Sequence, residues 1–228
     1  MMLSLKNVSK NFGGVRAVDR CAFEVKENTI TSLIGPNGAG KTTVFNIISG
    51  LTQPESGTIR LQGKNITGLP AYRIARDGIS RTFQLTKVFR NLSIRDNLSI
   101  AKRTNENEMK KVLESVYLSK PLDTIARELS YGQQRLLEMA RALLMPHSLL
   151  MLDEPTAGVN PQIRQELKKI LRNLRNDGRT VLLIEHDMEF VMDVSDNIIV
   201  MAEGKVLRTG KPKEIMKDKK VLEAYLGK

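Results

Sequence analysis

The 228-residue chain has no tryptophan, one cysteine and only 4% aromatic residues. A single thiol, Cys21, excludes an internal disulfide and suits a reducing compartment; Cys21 itself reads as a small strand or loop residue. So few flat rings leave little material for stacking single-stranded nucleic acid. No apolar run approaches the roughly 20 residues that cross a bilayer, and the opening Met1-Met2-Leu3-Ser4-Leu5-Lys6 reads as a first strand, not a secretory signal. Acidic residues are in deficit, with 25 Asp and Glu against 36 Lys and Arg, for a net charge of +11. That excess fits an anionic partner, whether lipid headgroups, nucleic acid or free phosphates, and does not choose among them. Its densest part, 211–220, also carries Glu214 and Asp218 and reads as a solvated helical face. What is present, 41% hydrophobic residues, suffices for one large domain or a core with a smaller lobe.

One stretch carries most of the chemistry: Gly35-Pro36-Asn37-Gly38-Ala39-Gly40-Lys41-Thr42-Thr43. It follows an apolar run at 30–34 that reads as a buried strand and precedes an apolar helical pattern at 44–48, the setting a phosphate loop requires. Glycines let the backbone turn tightly and aim successive N–H groups inward, while the new helix presents its positive end. Lys41 is expected to reach the β and γ phosphates of ATP, and the Thr42 hydroxyl to ligate Mg²⁺.

Along the chain, 3–8, 22–25 and 58–61 read as short strands of an antiparallel edge sheet. Compact apolar runs at 30–34, 148–152, 181–184 and 198–201, separated by helical patterns, predict a mostly parallel α/β core. Asn160-Pro161 supplies a cap and first-turn proline for a helix over 162–176, which Asp177-Gly178 ends. Between 85 and 145 only helical patterns occur, such as 108–118 and 133–145. This predicts one domain over 1–228, with 1–84 and 146–228 as the α/β core and 85–145 as an inserted helical subdomain.

Further candidates sit where such a core would place them. Leu149-Leu150-Met151-Leu152-Asp153-Glu154-Pro155 is an apolar strand ending in two carboxylates at its C-terminal edge. By itself it is a solvated acidic turn; beside a phosphate loop, Asp153 is placed to hold Mg²⁺ through water and Glu154 to act as general base. The run 181–184 ends in Glu185-His186-Asp187, which projects His186 from the same edge, although a lone histidine there is more often structural. Gln84, after Arg81-Thr82-Phe83, is placed to reach Mg²⁺ and the attacking water through its amide oxygen. Leu129-Ser130-Tyr131-Gly132-Gln133-Gln134 opens a helix with Ser130 as N-cap. It is either a plain helix start or a second phosphate-recognition surface.

Phosphate loop, Gln84, Leu129-Ser130-Tyr131-Gly132-Gln133, the Asp153-Glu154 strand and His186 occur in the order of the ABC ATPases, and the resemblance covers essentially the whole chain. It implies a P-loop NTPase core of ABC type with an antiparallel β subdomain and a short helical subdomain. It implies ATP and Mg²⁺ as cofactors, Phe12 as the aromatic that stacks on adenine, and a head-to-tail pair of ATPases. In such a pair Ser130, Tyr131, Gly132 and Gln133 act on the partner's ATP, while Glu154, His186 and Gln84 carry catalysis. Narrower wording, including Asn11-Phe12-Gly13-Gly14, Arg81-Thr82-Phe83-Gln84, Val88-Phe89-Arg90-Asn91-Leu92-Ser93 and Val221-Leu222-Glu223-Ala224-Tyr225-Leu226-Gly227, resembles the LivG-type ATP-binding subunits of branched-chain amino-acid importers. Tyr131 and Asn160 replace the residues commoner in the wider superfamily and are similar to this branch. The link 101–110 is shorter and more polar than the branch's pattern.

From that resemblance the expected partners are a second, distinct ABC ATPase subunit (a homodimer being the alternative), an integral membrane permease and a separate solute-binding protein, with no nucleic acid. The expected place is the cytoplasm, peripheral on the inner face of the cell membrane. Other readings are an importer ATPase for urea or short amides, and, in another class, a soluble ABC ATPase of assembly or DNA repair. The latter usually adds coiled coils or DNA-binding domains, and no sustained heptads occur here.

Overall fold

In the computed structural model, which describes residues 1–83 and 88–226, the apolar runs are the centre of the molecule. β3 (Ile30–Ile34), β7 (Leu149–Asp153) and β8 (Thr180–Ile184) are buried at every position, as expected of parallel strands covered on both faces. With β6 (Ile79–Arg81), β9 (Asn197–Ala202) and β10 (Lys205–Gly210) they form a six-stranded sheet in the order β10-β9-β3-β8-β7-β6, parallel except for β10. A second, antiparallel sheet holds β2 (Val15–Val25), β1 (Leu3–Phe12), β4 (Ser56–Leu61) and the two-residue β5 (Lys64–Asn65). The expected edge sheet is therefore a sheet of its own, and its strands run longer than the apolar runs at 3–8 and 22–25.

Side-chain alternation divides the central strands between two cores. Leu149, Met151, Leu182 and Ile184 face α1 (Lys41–Ile48) and the inner side of the antiparallel sheet, through Val44, Phe45, Leu3 and Leu5. Leu150, Leu152, Val181 and Leu183 face the opposite way, toward helices. On that side lie α5 (Tyr131–Leu144) and α6 (Pro161–Asn176), contributing Leu136, Leu137, Leu167 and Leu171. Asn160 caps α6 by accepting from the Ile163 N–H at 2.9 Å, with Pro161 in the first turn, as its sequence requires.

Between β6 and β7 the described residues hold α3 (Ile94–Ala101), α4 (Glu106–Ser115), a single 3₁₀ turn and α5, with one isolated bridge, Ser93 to Ile125. The link between α3 and α4 is only 102–105. The basic stretch 211–220 spans α8 (Pro212–Ile215) and the start of α9 (Lys219–Leu226), with Lys211, Lys213, Lys217, Lys219 and Lys220 exposed. No described helix is long and apolar enough to cross a membrane. Cys21 is buried in β2, and burial pushes its thiol up to about 12.

The topology brings the chemistry to one edge. Since β3, β8, β7 and β6 are neighbours and parallel, the segments after Ile34, Ile184, Asp153 and Arg81 all leave the sheet at its C-terminal edge, the ligand-binding edge of open α/β sheets. Gln84 and Gly227 lie outside the described residues.

Candidate nucleotide-hydrolysis site

β3 ends at Ile34, and the chain loops through 35–40 into α1. Gly40, the N-cap of α1, has φ 93°, and a Cβ there would lie 2.4 Å from the Ala17 carbonyl oxygen. Both facts require glycine. Gly40→Ala should therefore lose stability by about 1–3 kcal/mol and weaken nucleotide binding, as urea denaturation and nucleotide titration would register.

Lys41 folds back over the loop and donates to the Gly35 carbonyl at 2.7 Å and the Pro36 carbonyl at 2.9 Å. Burial holds its ammonium below the usual lysine range, and the carboxylates of Glu154 and Asp153 partly offset this. The cation is thus held by neutral oxygens, where a phosphate would bind it more strongly. A cavity of about 540 Å³ opens over the loop, lined by Asn37, Gly38, Ala39, Gly40, Lys41, Thr42 and Thr43 with Val15, Arg16, Ala17, Glu154 and Glu203. That volume is right for a small ligand of nucleotide size.

Glu154 leaves β7 with φ 47°, an unusual backbone for a side-chain-bearing residue, fixed by its N–H donating to the Ile184 carbonyl at 3.0 Å. Its Oε2 lies 3.8 Å from Nδ1 of His186, whose ring is mostly exposed. Asp153 is different: it is buried and pairs with Arg81, Nη2 to Oδ2 at 2.8 Å. Nη1 of Arg81 donates to Asn46 Oδ1 at 2.9 Å on α1 and to Ser49 Oγ at 2.8 Å at its C-cap. Burial raises the Asp153 carboxyl against the pull of Arg81, and burial lowers Arg81 in turn.

Ser130, Tyr131, Gly132 and Gln133 open α5 but do not line this cavity. Ser130 and Gln133 form a reciprocal cap, with Gln133 N–H donating to Ser130 Oγ at 3.3 Å and Ser130 N–H to Gln133 Oε1 at 3.1 Å. Gly132 is required by close approach, since a Cβ would sit 2.6 Å from Ile163 Cγ1 of α6. The segment is thus held by its own cap and by α6, outside the lining of its own chain's phosphate-loop cavity. Phe12, at the end of β1, is half exposed instead of packed beneath the sheet, with Lys10 Nζ 5.4 Å from its ring centre.

The sequence pattern of the family described as ABC transporter matches residues 18–157, more than half of the chain. The chain belongs to the ABC transporter ATPases. The high-affinity branched-chain amino acid transport ATP-binding protein BraF of Pseudomonas aeruginosa is 41% identical to it, with 99% of this chain and 98% of that protein covered. LivG of Escherichia coli K12, of the same description, is 40% identical with the same coverage. Both alignments run over 249 positions against 228 residues here, so these relatives carry residues without a counterpart in this chain. A crystal structure of an ATP-binding cassette in its ADP conformation superposes with a TM-score of 0.90 at 31% identity, covering 100% of this chain and 99% of that one.

In this ABC ATPase two further residues tie the site together. Arg81 carries the buried pair just described. Arg135, buried on α5 two residues past the Ser130–Gln133 segment, donates to the carbonyls of Phe83 at 2.8 Å and Glu154 at 3.5 Å, and pairs with Glu138 at 3.1 Å. It links the helical insertion to the edge that carries Glu154. Both are ordinary arginines in the sequence, and only the pairing of segments more than 15 residues apart reveals them.

The donor set fits Mg²⁺. The described residues contain no cluster of three or more His, Cys, Asp or Glu able to cage a metal alone. One hydroxyl, Thr42, and one carboxylate, Asp153, beside a phosphate cavity are what an octahedral oxygen-seeking ion needs when ATP supplies the other ligands.

Proposed function

We propose that this chain is the ATP-hydrolysing subunit of an importer for branched-chain amino acids, and that its cavity is half of a shared site. The observation that carries this is that Lys41 and Glu154 line one cavity, while the capped helix start Ser130–Gln133 of the same chain is not part of that lining. The near-complete alignment with BraF and LivG supports the solute class.

In this reading the loop 35–43 grips the triphosphate, Phe12 stacks on adenine, and the capped start of α5 completes the partner's site. Thr42, Asp153 and Gln84 are the residues that would hold Mg²⁺, which would supply charge stabilisation to the phosphate oxygens. Glu154 takes the proton of the attacking water, and His186 and Gln84 orient that water and report the γ-phosphate. ATP thereby favours the closed pair through contacts absent from the open one. The partner is a second, distinct ABC ATPase, and the pair works on the inner face of the membrane under a permease fed by a separate solute-binding protein.

In the same reading that permease docks beside Arg81 and Phe83. Two apolar hollows meet at Arg81 and Phe83, one lined by Leu51, Ala71 and Ile74, the other by Phe89, Ala101 and Met145. Leu51, Phe89 and Met145 are exposed, so a partner helix would cover surface that now faces water. Copurification with a membrane protein, lost when Leu51 and Phe89 are changed to Asp, tests this; retention would sink it.

Lys41→Ala tests the cavity itself. Removing one charge-assisted donor should weaken ATP binding about tenfold to a hundredfold, read with a fluorescent nucleotide, while the melting temperature stays close to that of the parent.

A further inference from the structure

His186 and Glu154 come from different strands, yet one side chain touches both of their loops. Glu185, immediately before His186, is fully buried. Its Oε1 accepts from the Thr156 N–H at 2.9 Å and the Thr156 hydroxyl at 2.6 Å. Its Oε2 accepts from the N–H groups of His186 at 3.1 Å and Asp187 at 3.4 Å. Thr156 stands two residues after Glu154, and Ala157 N–H donates to the Glu154 carbonyl at 3.1 Å. Asp187 in turn caps α7 (Met188–Val194) through Phe190 N–H at 3.0 Å and pairs with Arg164 on α6.

Burying a carboxylate away from water is costly unless donors surround it. Capping one turn would need only a serine or an asparagine. Here an acid takes two donors from the loop after Glu154 and two from the loop of His186, so each carboxylate oxygen is committed to a different catalytic segment. Neither loop can shift without breaking bonds to a carboxylate that is itself fully buried.

We propose that Glu185 is a positioning residue that locks the Glu154–Thr156 segment and the His186 loop into one rigid unit, holding the general base and the histidine at their mutual distance. The proposal rests on the reading of Glu154 and His186 given above. The neighbouring ion pairs of α6 and α7, Arg164 with Asp187 and Lys168 with Asp193, extend the same unit into the helix that follows Asn160. What this adds to the site is a mechanical link. A displacement of the loop 155–160, which leads toward α6, is transmitted to His186 through Thr156 and Glu185.

The test is the Mg·ATP turnover of the full-length chain assembled with its partner ATPase and permease, carrying Glu185→Gln, Thr156→Val or Thr156→Ser. Glu185→Gln keeps the shape but turns an N–H₂ toward N–H donors, so kcat should fall about tenfold to a hundredfold while KM and ATP affinity stay within about twofold. Thr156→Val should lose kcat in the same direction, Thr156→Ser should restore it, and the Glu185→Gln, Thr156→Val double variant should be little worse than Glu185→Gln alone, because both remove one shared bond. Full kcat in Glu185→Gln or Thr156→Val overturns the proposal. So does a matched loss of kcat, ATP affinity and melting temperature, which marks a merely structural acid. If Glu185→Gln does not fold, Thr156→Val against Thr156→Ser decides alone. Glu154→Gln separates the two readings: turnover surviving there removes the base, whereas its loss beside an unimpaired Glu185→Gln removes only the link.

Discussion

Glu154→Gln is expected to abolish turnover by at least about a hundredfold, the contribution of a well-placed general base, with ATP affinity unchanged. The amide matches the carboxylate in size, and glutamine accepts the backbone of φ 47° no worse than glutamate does, so the fold should keep its stability. What is lost is an oxygen able to take a proton from water. His186, whose Nδ1 lies 3.8 Å from the Glu154 carboxylate, cannot substitute, because its ring is turned largely to solvent. With hydrolysis stopped and binding intact, ATP should accumulate the closed pair. Shifting that equilibrium from 1:99 to 99:1 takes about 5.5 kcal/mol of differential contact, a sum within reach of several charge-assisted bonds to a triphosphate. Gel filtration of the chain mixed with its partner ATPase, with and without Mg·ATP, reads the association, and phosphate release reads the chemistry. Turnover at the parent rate would remove Glu154 as the base.

Much of this site was legible in the sequence because its parts are local. The strand 30–34 has both its ends where the sequence predicts them, since a parallel strand covered on both faces reads as a short, mostly apolar run; its two polar residues, Thr31 and Ser32, are small enough to be buried with it. Ser130 and Gln133 stand at the spacing of a reciprocal cap, and Asn160-Pro161 at that of a helix start, so both helices begin within a residue of expectation. The misses are non-local. β6 is three residues long, with no period to read, and becomes a strand only because β7 lies beside it in register, Ile79 against Leu149 and Arg81 against Met151. β10 alternates weakly and is an edge strand, identifiable only by its pairing with β9. For the same reason Arg81 and Glu185 looked like flanking residues of better-known neighbours. Their partners, Asp153 and Thr156, arrive from 72 and 29 residues away.

Arg81→Met should damage the fold more than any other single change at this edge. The side chains of Arg81 and Asp153 are 6% and 4% exposed, so the pair is shielded from water that could solvate either charge alone. Removing the guanidinium leaves Asp153 buried without its cation and strips Asn46 and Ser49 of their donor. Losing one partner of such a pair costs about 3–5 kcal/mol, which for a chain of this size lowers the melting temperature by roughly 10 °C. The Asp153 carboxyl, already raised by burial, should move further up. Adding Asp153→Asn to Arg81→Met removes the orphaned charge and should restore most of the stability, because the large term is the unpaired acid and not the lost attraction. It should not restore ATP hydrolysis, since the carboxylate beside the phosphate cavity is then gone. Stability and activity therefore part company in the double variant. A double variant as unstable as Arg81→Met alone would mean that the arginine acts through α1, by way of Asn46 and Ser49, and not through Asp153.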